Sequence, residues 1–306
     1  MAFDLQAAVE AAAPGAVVNV PAGAYPANVF IDKPVSLIAM GKVVFDGTRA
    51  GTVLRIRTGG LVKLAGLMIV GGRTGLAGAG VALEAGQLEM LACTLRFNEA
   101  PAFGGGGLCV RGNATAKVSQ CRFEGNTGRQ GGGVLVDEGG TLVMRDSLLA
   151  QNAAFEGAGL CVREGGRAEL LGCTLADNKV LGEAPRGGAV ALGGTMTRAP
   201  TVKLSHCIVA ERARGASTLS NFDAYPGTLV LENNLLPEWC QAFGGDNTYA
   251  EPHFVGEGNE PYFLTRASPA AGAARGDAYG PNARDVLGRP RSTGGRAADL
   301  GAFALA

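Results

Sequence analysis

The sequence predicts an all-β solenoid, through two recurring phrases and the spacing between them. Gly105-Gly106-Gly107-Leu108-Cys109-Val110 returns as Gly131-Gly132-Gly133-Val134-Leu135-Val136, as Gly157-Ala158-Gly159-Leu160-Cys161-Val162 and, more loosely, as Gly187-Gly188-Ala189-Val190-Ala191-Leu192. Between these copies stands Cys93-Thr94-Leu95-Arg96-Phe97-Asn98, echoed at 121–126, 147–152 and 173–178. The matched asparagines Asn98, Asn126, Asn152 and Asn178 lie 28, 26 and 26 residues apart. A fixed period of that length marks a unit that cannot bury its own apolar face and stacks on copies of itself.

Each unit resolves into three short strands. In the unit from Thr115, Ala116 and Val118 point inward around an outward Lys117. Cys121 and Phe123 point inward next, and Val134 and Val136 follow after a turn at Asn126. Three strands per coil, each paired with its copy in the next coil, make a parallel β-helix of roughly nine coils that advances ~4.8 Å per coil. Asparagine suits the left-handed corner of such a coil, and its amide can bond the same amide one level away. The glycines suit a sharp, crowded entry to the third strand.

In chain order, residues 4–13 read as a short amphipathic helix. Asp4 caps it, Leu5, Val9 and Ala12 lie on one face, and Pro14-Gly15 ends it. Such a helix plugs the open end of a solenoid. The runs 17–20, 29–31, 35–38 and 43–45 are the first, irregular strands. The solenoid with its plug is expected over 1–238. Residues 239–306, Pro- and Gly-rich, are expected to form an irregular C-terminal cap.

The asparagine column, the Gly-Gly-Gly-x-x-Val strands and the opening resemble the right-handed parallel β-helix superfamily, the pectate-lyase-like group, over nearly the whole chain. In that opening Leu5-Gln6-Ala7-Ala8-Val9 is followed by Val18-Asn19-Val20-Pro21-Ala22-Gly23-Ala24-Tyr25 and Ile31-Asp32-Lys33-Pro34-Val35. The C-terminal stretch, with Pro252-His253-Phe254-Val255, Asp285-Val286-Leu287-Gly288-Arg289-Pro290-Arg291 and Asp299-Leu300-Gly301-Ala302-Phe303, is similar to the tail that follows many bacterial β-helices exported to the cell surface. The right hand comes from this resemblance and from the general handedness of β crossovers.

Composition narrows the function classes. The 27 basic and 27 acidic residues cancel, so no electrostatic footprint for nucleic acid appears, and no apolar window reaches the length of a membrane span. Cys93, Cys121, Cys173 and Cys207 take equivalent places, with Ser147 filling the gap. They read as a column of small core residues, with Cys93–Cys121 and Cys173–Cys207 bridges as the alternative in an oxidising compartment. With only His206 and His253 and no Cys-x-x-Cys pair, neither a metal site nor a cofactor is expected. Met1-Ala2-Phe3-Asp4-Leu5 does not begin a secretory signal, which leaves a cytoplasmic or leaderless product or a trimmed extracellular chain.

The outward position of the first strand reads Lys63, Glu89, Lys117, Val143, Glu169, Lys203, Val230. One reading is a solvent-facing charge ladder that fixes register. The other follows from the resemblance, because carbohydrate-processing relatives work in the groove along this strand. On that reading Lys117, Arg145, Asp146, Glu169, Lys203 and His206 are the candidate catalytic residues. The alternation of carboxylate with ammonium fits neither a calcium cluster nor the paired acids of an inverting hydrolase. The leading expectation is therefore a non-catalytic rod that binds polysaccharide or a protein partner, with a lyase or hydrolase as the alternative. Cargo of a phage-tail-like secretion machine is a further one. Trp239 reads as core of the cap beside Cys240 and Phe243, or as a sugar-stacking ring. An outward apolar stripe, Ala82, Cys109, Leu135, Cys161 and Ala191 on the third strand and Met68, Val70, Leu148, Ala150, Ile208 and Ala210 on the second, calls for a cover. Either the C-terminal chain folds over part of it or the stripe mediates a homo-oligomer.

Overall fold

Residues one repeat apart pair directly across neighbouring parallel strands, so the sequence period becomes the molecular axis. The computed structural model describes residues 3–305 except 183–185, 194, 196–197, 212–217, 222–226, 277, 281 and 292–296; of Asn221 and Phe243 the side chains also lie outside the described residues. Thr115–Ser119 pairs in register with Thr141–Arg145, then come Arg167–Leu171, Thr201–Ser205 and Thr228–Glu232. The solenoid makes about seven full turns. Its first-strand column, irregular ends included, is nine levels deep among the described residues, from Val17 to Val230. The expected right-handed parallel β-helix, with coils close to the expected number, is thus the fold of this chain.

Inward residues from all three strands meet in one continuous core. Ala116, Val118, Phe123, Val134 and Val136 are fully buried, as their alternation requires. At the corners the asparagines form a buried ladder. The Nδ2 of Asn98 donates to Asn126 Oδ1, that of Asn126 to Asn152, and that of Asn152 to Asn178, each at 3.0 Å. The cysteine column uses the same logic with weaker acceptors. The backbone N–H of Cys93 donates to Cys121 Sγ at 3.4 Å, and that of Cys121 to Ser147 Oγ at 3.1 Å. All seven cysteines are buried and none is in a disulfide.

Three features go beyond the sequence reading. First, the helix is shorter, Leu5–Ala11, with Asp4 accepting from the Ala7 N–H at 3.0 Å. Second, a fourth, four-stranded parallel sheet, Glu99–Gly104, Thr127–Gln130, Ala153–Ala154 and Lys179–Val180, lies between the second and third strands. Third, Cys109, Leu135, Cys161 and Ala191 are buried, and the incoming turn of the chain itself is what crowds them. A Cβ on Gly105 or Gly157 would stand 2.8 Å from the Cβ of Cys109 or Cys161, so only glycine admits that approach.

The chain after the solenoid returns over the second-strand face. Tyr262, Val286, Ala302 and Phe303 pack on Leu148, Ala150 and Ala176. Leu264, Ala270 and Leu300 pack on Ile208 and Leu235. The Asp285 carboxylate accepts from Arg289 inside the returning segment, while Arg291 reaches the solenoid instead. Among the described residues no helix is long and apolar enough to cross a membrane.

Candidate functional site

The first-strand sheet carries two outward rows, and their neighbours decide what each ionisable group can do. In one row Lys63 Nζ lies 3.1 Å from Glu89 Oε2, and Lys117 Nζ lies 4.0 Å from Glu89 Oε1. Lys117 therefore ends a short charge ladder, with its side chain mostly in solvent. Val143 interrupts the row, Glu169 follows, and Lys203 turns onward to Glu232 at 2.7 Å. The Lys203 ammonium holds the Glu232 carboxyl below the usual carboxylate range.

Arg145, Leu171 and Ser205 form the second row, two residues along each strand. Arg145, Glu169 and Lys203, with Val143, Leu171 and Ser205, line a shallow groove of about 160 Å³. Diagonal neighbours on such a face stand about 7–8 Å apart, within reach of one sugar residue. Lys117 sits two levels from Glu169, ~9.6 Å by strand spacing, and outside this groove.

Asp146 and His206 do not join them, which divides the six expected residues. Both occupy left-handed corner positions, φ 51° and 56°, that turn them beneath the returning chain. Arg291 donates to Asp146 Oδ1 through Nε at 2.7 Å and approaches it through Nη2 at 2.6 Å. Burial raises the Asp146 carboxyl pKa even so, with Arg291 opposing the shift. The His206 ring meets Tyr279 edge-on at 5.7 Å, and burial lowers its pKa. Its backbone carbonyl accepts from the Tyr279 hydroxyl at 3.2 Å and from the Gly301 N–H at 2.9 Å. These two residues seat the C-terminal chain rather than face the groove.

Two residues gain importance only in three dimensions. Glu211 ends the asparagine ladder: its Oε1 accepts from Asn178 Nδ2 at 3.2 Å, and burial pushes the carboxyl pKa well above its ordinary range. The one available sequence signal is the lengthened repeat between Cys173 and Cys207, after which no asparagine stands at the matching place. Trp239 is not cap core: 41% of it is exposed, against a buried Cys240. Its Nε1–H donates to Thr218 Oγ1 at 2.9 Å, which anchors the nitrogen edge of the ring.

A coiled wall of parallel strands, open on its first-strand face and covered on its second, defines the class as a right-handed parallel β-helix protein. The chain belongs to the right-handed β-helix region family, which it matches over residues 76–242, more than half its length. The crystal structure of pectate lyase Pel9A is similar to it, with a TM-score of 0.53, 11% sequence identity, and 99% of this chain and 91% of that chain covered. At that identity the likeness is one of fold. No curated protein matches the sequence.

Proposed function

We propose that the protein is a non-catalytic rod that binds an extended polysaccharide along its first-strand face. The observation that supports this reading is the composition of the groove: among its described lining residues one carboxylate, Glu169, stands between Arg145 and Lys203, and the next carboxylate along the stack, Glu232, is tied to Lys203 at 2.7 Å. Inverting hydrolysis needs two carboxyls about 6.5–9.5 Å apart across the scissile bond. Calcium-assisted elimination needs several oxygen ligands converging on a hard cation. Arg145, Glu169 and Lys203 instead offer a donor, an acceptor and a donor spaced along the strand stack, which suits hydroxyl and carboxylate groups of successive sugars.

The test is a panel of uronic-acid and neutral polysaccharides in affinity electrophoresis. Retention by one glycan is expected, weakened about tenfold in Arg145→Ala, the scale of a lost charge-assisted hydrogen bond. The enzymatic alternative rests on Glu169 lying between two cations, as an eliminating base would. Unsaturated products absorbing in the ultraviolet or new reducing ends, lost in Arg145→Ala, Glu169→Ala or Lys203→Ala, would establish it and end the non-catalytic reading.

A further inference from the structure

A second concavity, about 320 Å³, opens on another wall, at the seam between the last coils and the returning chain. Asp177 and Glu211 enter it from the ends of second strands, Trp239 from the 3-10 helix Glu238–Phe243, and Glu251, His253 and Phe254 from the segment beyond. Its volume lies at the small end of ligand pockets, enough for one ring or a short chain.

The lining is aromatic and acidic at once. Trp239, pinned by Thr218, keeps a large part of its surface open, and the Phe254 ring is held edge-on by Tyr262 at 5.6 Å. Asp177, whose Oδ2 accepts from the Tyr262 hydroxyl at 3.1 Å, Glu211 and Glu251 line the space, and among the described residues no lysine or arginine does. Among those residues no three acids, histidines or cysteines come together as metal ligands would. Carboxyl groups beside aromatic rings, without a metal-like cage among the described residues, suit a positive charge that keeps its hydrocarbon, because such a cation is attracted to a ring face and is cheaply desolvated.

We propose that this pocket binds a small organic ammonium ligand, its nitrogen over the face of Trp239 and directed toward Glu211 and Asp177. An amino sugar and an aliphatic amine present the same chemistry. Burial keeps the Glu211 carboxyl protonated to higher pH than an ordinary glutamate, and Asp177 adds to that effect. Arrival of a cation reverses the balance, so binding releases a proton and affinity rises with pH until Glu211 is ionised without ligand. Asp177, Glu251 and His253 line the same space.

Trp239 is the single tryptophan, so its fluorescence reports the site directly. Titration with tetramethylammonium, putrescine and glucosamine should give a saturable change for at least one of them. Glucose and galacturonate should give none. Glucosamine against putrescine separates the two sources. Glu211→Gln keeps the acceptor for Asn178 and should weaken binding about tenfold. It should also abolish proton release, measured by calorimetry in buffers of different ionisation enthalpy. Trp239→Leu, followed by calorimetry, should lose about two- to thirtyfold. No saturable response to any of the three cations in folded protein, or glucose binding as tightly as glucosamine, would overturn the assignment. Since the pocket and the first-strand groove lie on different walls, such a failure leaves the polysaccharide reading standing.

Discussion

Asn152 serves four polar partners at once. Its Nδ2 donates to the Phe123 carbonyl at 2.9 Å and to Asn178 Oδ1 at 3.0 Å, while its Oδ1 accepts from the backbone N–H and the Nδ2 of Asn126, both at 3.0 Å. Only a side chain with one donor arm and one acceptor arm of this length fits, which is why the column was legible in the sequence. Asn152→Ala strands several buried groups at about 1–3 kcal/mol each. A loss of roughly 3 kcal/mol or more in urea unfolding is expected. Glu211 was not legible, because the repeat that carries it is longer than its neighbours and the matching letter changes. Its folded pKa lies above the unfolded value of about 4.3. Its contribution to stability is therefore complete below that unfolded value and is lost as pH rises through the folded one. Glu211→Gln should remove that part of the stability–pH slope, and an unchanged slope would contradict the burial argument.

Strands and turns add a second layer. The first-strand ladder joins exposed side chains, 63% and 39% open for Lys117 and Glu89, so Glu89→Gln should cost less than about 1 kcal/mol and should be masked by salt. The strap formed by the returning chain behaves differently. Arg291 is almost wholly buried and reaches Asp146 together with the carbonyls of Gly172 and Gly301. Arg291→Ala leaves Asp146 without its partner and should cost about 3–5 kcal/mol. Limited proteolysis should then cut within 239–305 well before the coils, whereas a strap as resistant as in the wild type would show that the pair does not hold it. Gly132→Ala belongs here too: its Cβ would stand 2.4 Å from the Ala153 carbonyl oxygen, so the fourth sheet would have to open. That sheet escaped sequence reading because Thr127–Gln130 lacks apolar alternation and is recruited by backbone pairing, with Gln130 Nε2 donating to Glu156 at 2.7 Å. The third-strand stripe looked exposed for a related reason, since the glycine turn that covers it has no side chain to announce the contact.

At the scale of the molecule, the coiled wall was readable because each contact repeats one period away, so a local pattern fixes a long-range pairing. The path of the last 60 or so residues was not, because each of its contacts occurs once: Gln120 Nε2 meets the Asp285 carbonyl across 165 positions of sequence. The candidate site follows the same division. Arg145, Glu169 and Lys203 could be placed together from the period, whereas the removal of Asp146 and His206 beneath Arg291 and Tyr279 depended on the aperiodic chain. Groove, pocket and strap all rest on the stacking of equivalent positions. Spin labels at Thr115→Cys and Thr228→Cys test it directly, since the seven native thiols are buried. These positions are separated by four strand spacings, ~19 Å. A narrow distance distribution near that value in pulsed electron resonance is the predicted result, and a broad one, or one centred beyond about twice that spacing, would contradict the stacked wall.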